Sequence, residues 1–172
     1  MATDPAIDDV ETERLIALGM VLDRAALLEY DLGRAFTMLL ESKYGDILAA
    51  GQGAEWLMQN CELLVRARQE IPEDFRAQVL EALAECRAVC QRRNTLVHAI
   101  KTSSADDGEL RTVLTRRGGR RHIETWTPAL ILEFADELLD ASSYLVFTVE
   151  QAVEVSALIH RESTLQQPQG EP

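Results

Sequence analysis

The chain has 172 residues, of which 47% are hydrophobic, 27% charged and only 5% aromatic, and it carries a formal net charge of −12. That length and apolar content are enough for one core without disulfide or metal staples. The acidity excludes a protein that coats nucleic acid without specificity, because phosphates repel such a surface. No apolar run approaches the ~20 residues that a bilayer-crossing helix requires. The start, Met1-Ala-Thr-Asp-Pro-Ala-Ile-Asp-Asp9, bears acids where a signal peptide bears bases, so the expectation is a cytoplasmic protein without membrane attachment. Three cysteines, Cys61, Cys86 and Cys90, form an odd and sparse set, which fits a reducing compartment.

Residues 1–8 read as a disordered polar lead, residues 9–162 as a single domain and residues 163–172 as a disordered tail. From about Asp9 to Ser42 the spacing predicts one long helix, with Leu15, Leu18, Leu22, Ala25, Leu32, Phe36 and Leu39 as its apolar stripe. Glu29 falls where that stripe asks for an apolar residue, between Ala25 and Leu32. Gly19 and Gly33 sit where a neighbouring helix can approach closely, and the glycine after Lys43-Tyr ends the helix. Asp46 to Ala50 adds about one turn. Ala54 to Arg68 follows as a second long helix, turning Trp56 or Leu57, Asn60 or Cys61, and Leu64 inward.

A third helix starts at Pro72-Glu-Asp74, a proline and two acids suited to a helix N-terminus. Phe75, Val79, Ala82, Cys86, Val89 and Leu96 form its stripe, flanked by Leu80, Leu83, Cys90 and Val97. Lys101 to Gly108 reads as a polar loop. Leu110–Thr115 and Arg121–Trp126 are strand-like runs around Arg116-Arg-Gly-Gly-Arg120, which predicts a β-hairpin over about 110–126. Thr127-Pro128 caps the last long helix, which carries Leu130, Ile131, Phe134, Leu138, Leu145, Val149 and Ile159 to about His160. The fold class is therefore all-α: an antiparallel bundle of four to five helices with a short hairpin inserted before the last helix.

Charge is unevenly spread. Residues 87–122 hold nine basic side chains against three acids, a local +6 that leaves −18 elsewhere. This patch suits one defined anionic ligand, although solvated arginines on a surface hairpin would produce the same pattern. Cys86 and Cys90 are four apart, as two metal ligands on a helix would be, but two further ligands at zinc-like spacing are missing. They read as core thiols, and neither a metal nor another cofactor is expected.

Polar residues enter the apolar face of the third helix at Arg93, on the stripe between Val89 and Leu96, and at Asn94, between Cys90 and Val97. Asn94 and His98 are i and i+4 and share a face. Arg93 and His98 diverge by roughly 140° on an ideal helix, a gap that a long arginine side chain and a loosening helix end can close. A guanidinium binds phosphate with forked donors, an imidazole moves protons near neutral pH, and an amide orients either one. These are the parts that phosphodiester cleavage without a metal requires. A purely structural reading also accounts for each residue: Arg93 neutralising Glu29 or another inward acid, His98 capping the helix C-terminus, Asn94 bonding to backbone.

Arg93-Asn-Thr-Leu-Val-His98 resembles the Arg-polar-x-x-x-His signature of the HEPN superfamily, the higher eukaryotes and prokaryotes nucleotide-binding domains. The layout over residues 9–160 is similar as well: a long first helix, a motif near the end of an internal helix, a basic hairpin, and a long last helix. The resemblance implies a helical bundle that dimerises, bringing two motifs into one cleft, and often a metal-independent endoribonuclease in a toxin–antitoxin or defence system. Arg93 would then stabilise the scissile phosphate, and His98 would act as general acid and base for attack by the ribose 2′-hydroxyl. Asn94 would support them. The interrupted stripe, and not the resemblance, adds Glu29, which would set the rotamer of Arg93 or the proton affinity of His98. Arg92, Lys101, Arg116, Arg117, Arg120 and Arg121 would attract the RNA, with an antitoxin protein as a further partner. His122 in the hairpin would be a second proton carrier or, more simply, an exposed strand position. The alternative is a non-catalytic HEPN-like module that binds a partner protein, a nucleotide or RNA, and the plainest reading is a structural bundle in which Arg93 is ion-paired.

Overall fold

Apolar residues at steps of three and four build the five helices found among the described residues, and strands carrying several β-branched residues build a small sheet. The computed structural model describes residues 9–98, 100–103, 110–115 and 121–165. The helices are α1 (Asp9–Leu40), α2 (Gly45–Ala49), α3 (Ala54–Ala67), α4 (Glu73–His98) and α5 (Pro128–Leu165), and helix predominates among the described residues. No helix among them is long and apolar enough to cross a membrane.

Three strands, β1 (Ile100–Ser103), β2 (Leu110–Thr115) and β3 (Arg121–Trp126), form an antiparallel sheet in the order β1-β2-β3. Ile100 pairs with Val113 and Ser103 with Leu110; Leu110 pairs in turn with Trp126 and Thr115 with Arg121. β1 corrects the sequence reading, which placed a polar loop from Lys101. Lys101-Thr-Ser has no alternation to announce a strand, and its pairing comes from the edge that β2 offers. The turn residues 116–120 and the tail 166–172 lie outside the described residues. α5 runs five residues beyond His160.

The described fold divides into two compact units. Each takes part of α1, α4 and α5, with chain boundaries at Leu28/Glu29, Arg87/Ala88 and Asp140/Ala141. The first unit, residues 1–28 and 88–140, buries Ala17, Val21, Ala25 and Leu28 of α1, Val89 and Leu96 of α4, Trp126, and Ile131, Phe134 and Leu138 of α5. This corrects the expected stripe at the start of α1: Leu15 and Leu22 of that stripe are exposed, as is Ile16 beside it, and the covered face is turned onto Ala17, Val21 and Leu28. α5 begins as expected, with the Leu130 N–H donating to Thr127 Oγ1 at 3.2 Å, so one of the unsatisfied first-turn donors is capped.

The second unit, residues 29–87 and 141–172, centres on Leu32, Phe36 and Leu39 of α1, Leu57, Met58, Cys61 and Val65 of α3, Val79, Leu83 and Cys86 of α4, and Leu145 and Val149 of α5. Trp56 is partly exposed and meets Phe36 edge-on, with ring centroids 5.4 Å apart. The residue in the left-handed region after α1 is Glu41 (φ 49), not the glycine that ends the helix on the sequence reading. Gly45 is needed for space instead: a Cβ there would lie 2.7 Å from Thr37 Cγ2. A Cβ added at Gly33 would lie 3.9 Å from Ala49 Cβ, whereas one added at Gly19 would meet nothing within 4 Å among the described residues.

Polar contacts tie this unit together. Ser142 Oγ donates to the buried Asp31 carboxylate at 2.7 Å, and Arg34 reaches the other oxygen at 3.3 Å. Arg87 bonds Glu62 at 2.7 Å with Glu55 at 3.8 Å. The Glu62 bond is the main reason that the guanidinium holds its proton more firmly than usual, against the opposing effect of burial.

Candidate functional site

The last two turns of α4 carry the motif. Val89 and Leu96 are buried, and Arg93, between them on the same face, is half-buried with its Nε shielded from solvent. A guanidinium in that setting binds an anion more strongly than one in water, because the surrounding apolar side chains lower the local dielectric. Asn94 is exposed, and Thr95 returns its hydroxyl to the Gln91 carbonyl at 3.1 Å, a bond internal to the helix. His98 is the final residue of α4, and its side chain lies outside the described residues. Arg93, Asn94 and His98 all belong to the first compact unit.

The cations expected to draw RNA fall into three groups. Lys101 stands in β1 opposite Thr112, and Arg121 in β3 opposite Thr115, which places both on the sheet that follows the motif. His122, also in β3, is opposite Leu114. Arg116, Arg117 and Arg120 lie outside the described residues. Arg92 is exposed but engaged: it forms an ion pair with Glu137 and lies over the rings of Phe134 and Trp126. The sequence counts Arg92 among the cations that would attract RNA and does not show this engagement. The signal was present only as an aromatic ending β3 and another one turn into α5, whose convergence on Arg92 no spacing rule reveals.

On the sequence Glu29 interrupts the α1 stripe; in the structure it does not. Leu28 fills the stripe position and is fully buried, while Glu29 lies beside it, half-buried. Glu29 belongs to the second unit, where it walls an open cleft of about 480 Å³ with Tyr30, Gly33, Arg34, Asp46 and Gln52.

The cysteines are packed as core. Cys86 is buried with its Sγ 3.6 Å from the Ala141 carbonyl, and Cys90 is half-buried. Burial, reinforced by Glu62, pushes the Cys61 thiol up to about 12, which leaves it an inert small hydrophobe. No group of three or more His, Cys, Asp or Glu that could hold a metal ion occurs among the described residues. Compared with protein-family models, curated proteins and solved structures, the chain matches none.

Proposed function

We propose that the chain is an HEPN-like endoribonuclease that cleaves RNA without a metal, in a toxin–antitoxin or defence role. The observation that carries this reading is the half-buried Arg93 on the face of α4 that otherwise belongs to Val89 and Leu96, with His98 ending the same helix five residues later. A guanidinium held in an apolar wall is preorganised for a phosphate whose charge grows in the transition state. His98 takes the proton from a ribose 2′-hydroxyl, the 2′-oxygen attacks phosphorus, the bond from phosphorus to the 5′-oxygen breaks, and His98 returns the proton to the departing 5′-oxygen. The products are a 2′,3′-cyclic phosphate and a 5′-hydroxyl end. Asn94, exposed beside Arg93, orients the substrate.

The finer architecture belongs to the same proposal: an antiparallel bundle with a basic hairpin, paired with a second copy so that two motifs share a cleft. An apolar face containing Leu15, Ile16 and Leu22, exposed on α1 in the unit that holds the motif, supports pairing, since such a patch gains from being covered.

The test is cleavage of structured RNA in EDTA with analysis of the product ends. Arg93→Ala and His98→Ala should each lower the rate by about 10²–10⁴-fold, as expected for loss of phosphate stabilisation or of general acid–base catalysis, while circular dichroism stays unchanged. Cleavage that survives His98→Ala would remove that residue from the mechanism. The second reading, a non-catalytic binding module, is favoured by the engagement of Arg92 with Glu137, which subtracts a cation from RNA attraction. It predicts RNA or protein capture with no cutting by the wild type.

A further inference from the structure

We propose that Arg92 is a positioning residue, a cationic strap that holds the last turns of α4 against the β3–α5 junction and thereby sets the direction of Arg93. Its effect on cleavage rests on the ribonuclease reading; its effect on α4 does not. The guanidinium carbon of Arg92 lies 4.6 Å from the ring centroid of Phe134 and 5.8 Å from that of Trp126. The two rings are themselves in contact, 5.6 Å apart and inclined by 57°. One guanidinium nitrogen of Arg92 is ion-paired with Glu137, which lies three residues after Phe134 and so on the same side of α5. One side chain therefore joins three elements: α4 that bears it, β3 through its last residue, and α5 through its second and third turns.

Two features argue for a strap over a surface ion pair. Exposed pairs contribute little by themselves, and both partners here are nearly half exposed. The aromatic pair beneath is buried, however, so the cation also lies against rings that water does not reach from below, where its attraction to their faces is stronger. Trp126 is buried without a hydrogen-bond partner for its Nε1 among the described residues, so packing and the overlying cation hold the indole in place. Because Arg92 directly precedes Arg93, fixing the first fixes the rotation of the helix about its axis, and with it the direction of the second. A misplacement of about 1 Å at a reacting group costs on the order of 100-fold in rate, so a small rotation matters.

A phosphate contact at Arg92 and a strap at Arg92 predict opposite results for Glu137→Gln. Removing an acid from a phosphate-binding arginine strengthens RNA binding; removing it from a strap loosens α4. The variants are Arg92→Gln, Arg92→Lys and Glu137→Gln, each in a Trp56→Phe background that leaves Trp126 as the sole indole. Three readouts apply: Trp126 emission, amide hydrogen exchange over residues 93–98, and kcat and KM for RNA cleavage in EDTA. The strap predicts that Arg92→Gln and Glu137→Gln both shift emission to longer wavelength and speed exchange over those residues. Both should also lower kcat by about 10–100-fold with KM little changed. Arg92→Lys should rescue only partly, since an ammonium does not reproduce the planar fork that spans rings and carboxylate. Tighter RNA binding by Glu137→Gln, with emission and exchange unmoved, would overturn the strap. If the wild type cuts no RNA, the ribonuclease reading fails, and emission and exchange still decide the strap by the same criteria.

Discussion

Arg68 offers the sharpest test of how the second unit is held together. It follows the last residue of α3, and its side chain is only 11% exposed. The guanidinium donates to the Leu39 carbonyl at 3.1 Å and to Ser156 Oγ at 3.3 Å, and it bonds Glu41 and Glu70 at 2.7 Å each. The Leu39 carbonyl is among the last of α1, so it has no partner within the helix. Burial weakens the guanidinium's hold on its proton, but bonds to the two carboxylates outweigh it, and the net shift is upward.

Arg68→Met keeps much of the aliphatic stem and deletes every one of these bonds. Glu41 and Glu70, at 55% and 50% exposed, return to water, so each lost pair costs only about 0–1 kcal/mol. Ser156 is 4% exposed and Leu39 1%, and stranding a buried polar group costs about 1–3 kcal/mol. The adjoining cavity of about 480 Å³ admits water to part of the gap and places the sum near the lower end, about 3 kcal/mol. Against a typical stability of about 5–15 kcal/mol this is large. Urea denaturation reads it as a fall in midpoint at constant slope. Arg68→Lys should lose about half as much, since one ammonium cannot span the Leu39 carbonyl and both carboxylates. A loss below about 1 kcal/mol for Arg68→Met would refute the view that Arg68 closes the end of α1.

Glu70 tests the same cluster through pH. Its own backbone N–H, above all, holds its carboxyl below the usual carboxylate value of 4.5; burial opposes this, and the bond and charge of Arg68 add to the lowering. A lowered folded-state value means that the contribution is present above the unfolded value and is lost as pH falls through the folded one. Glu70→Gln should therefore flatten the acid limb of a stability-versus-pH curve below about pH 4.5 and leave its slope near neutrality unchanged; an unchanged acid limb would contradict the assignment. Gly45→Ala would drive a methyl to 2.7 Å from Thr37 Cγ2 and should cost about 1–3 kcal/mol in thermal or chemical unfolding. Thr37→Ser removes that methyl while keeping the hydroxyl bonded to Asp46, and should restore part of the loss.

Periodicity located the helices because an amphipathic helix must repeat its apolar residues at about 3.6, and this repeat is written locally. It placed α1 from Asp9, ended α3 within one residue, and marked Val79, Ala82, Cys86, Val89 and Leu96 as the buried face of α4. The anomaly of Arg93 was legible for the same reason, as a charge where that repeat asks for carbon. At the start of α1 two apolar stripes compete, Leu15, Leu18 and Leu22 against Ala17, Val21 and Leu28, and the one richer in leucine is the less covered. Periodicity finds both stripes, but burial depends on which elements pack alongside. That correction moved Glu29 from an interruption to an edge.

The remaining features exist only where distant segments meet. β1 became a strand through the edge of β2, Arg92 became engaged through Trp126, Phe134 and Glu137, and Arg68 became the closure of α1 through Leu39 and Ser156. A side chain's charge is set by its chemistry, whereas its partners are set by the fold. From the sequence alone came the helices and a charge set into the apolar face of α4; the tertiary structure decided the partners of Arg92 and Arg68.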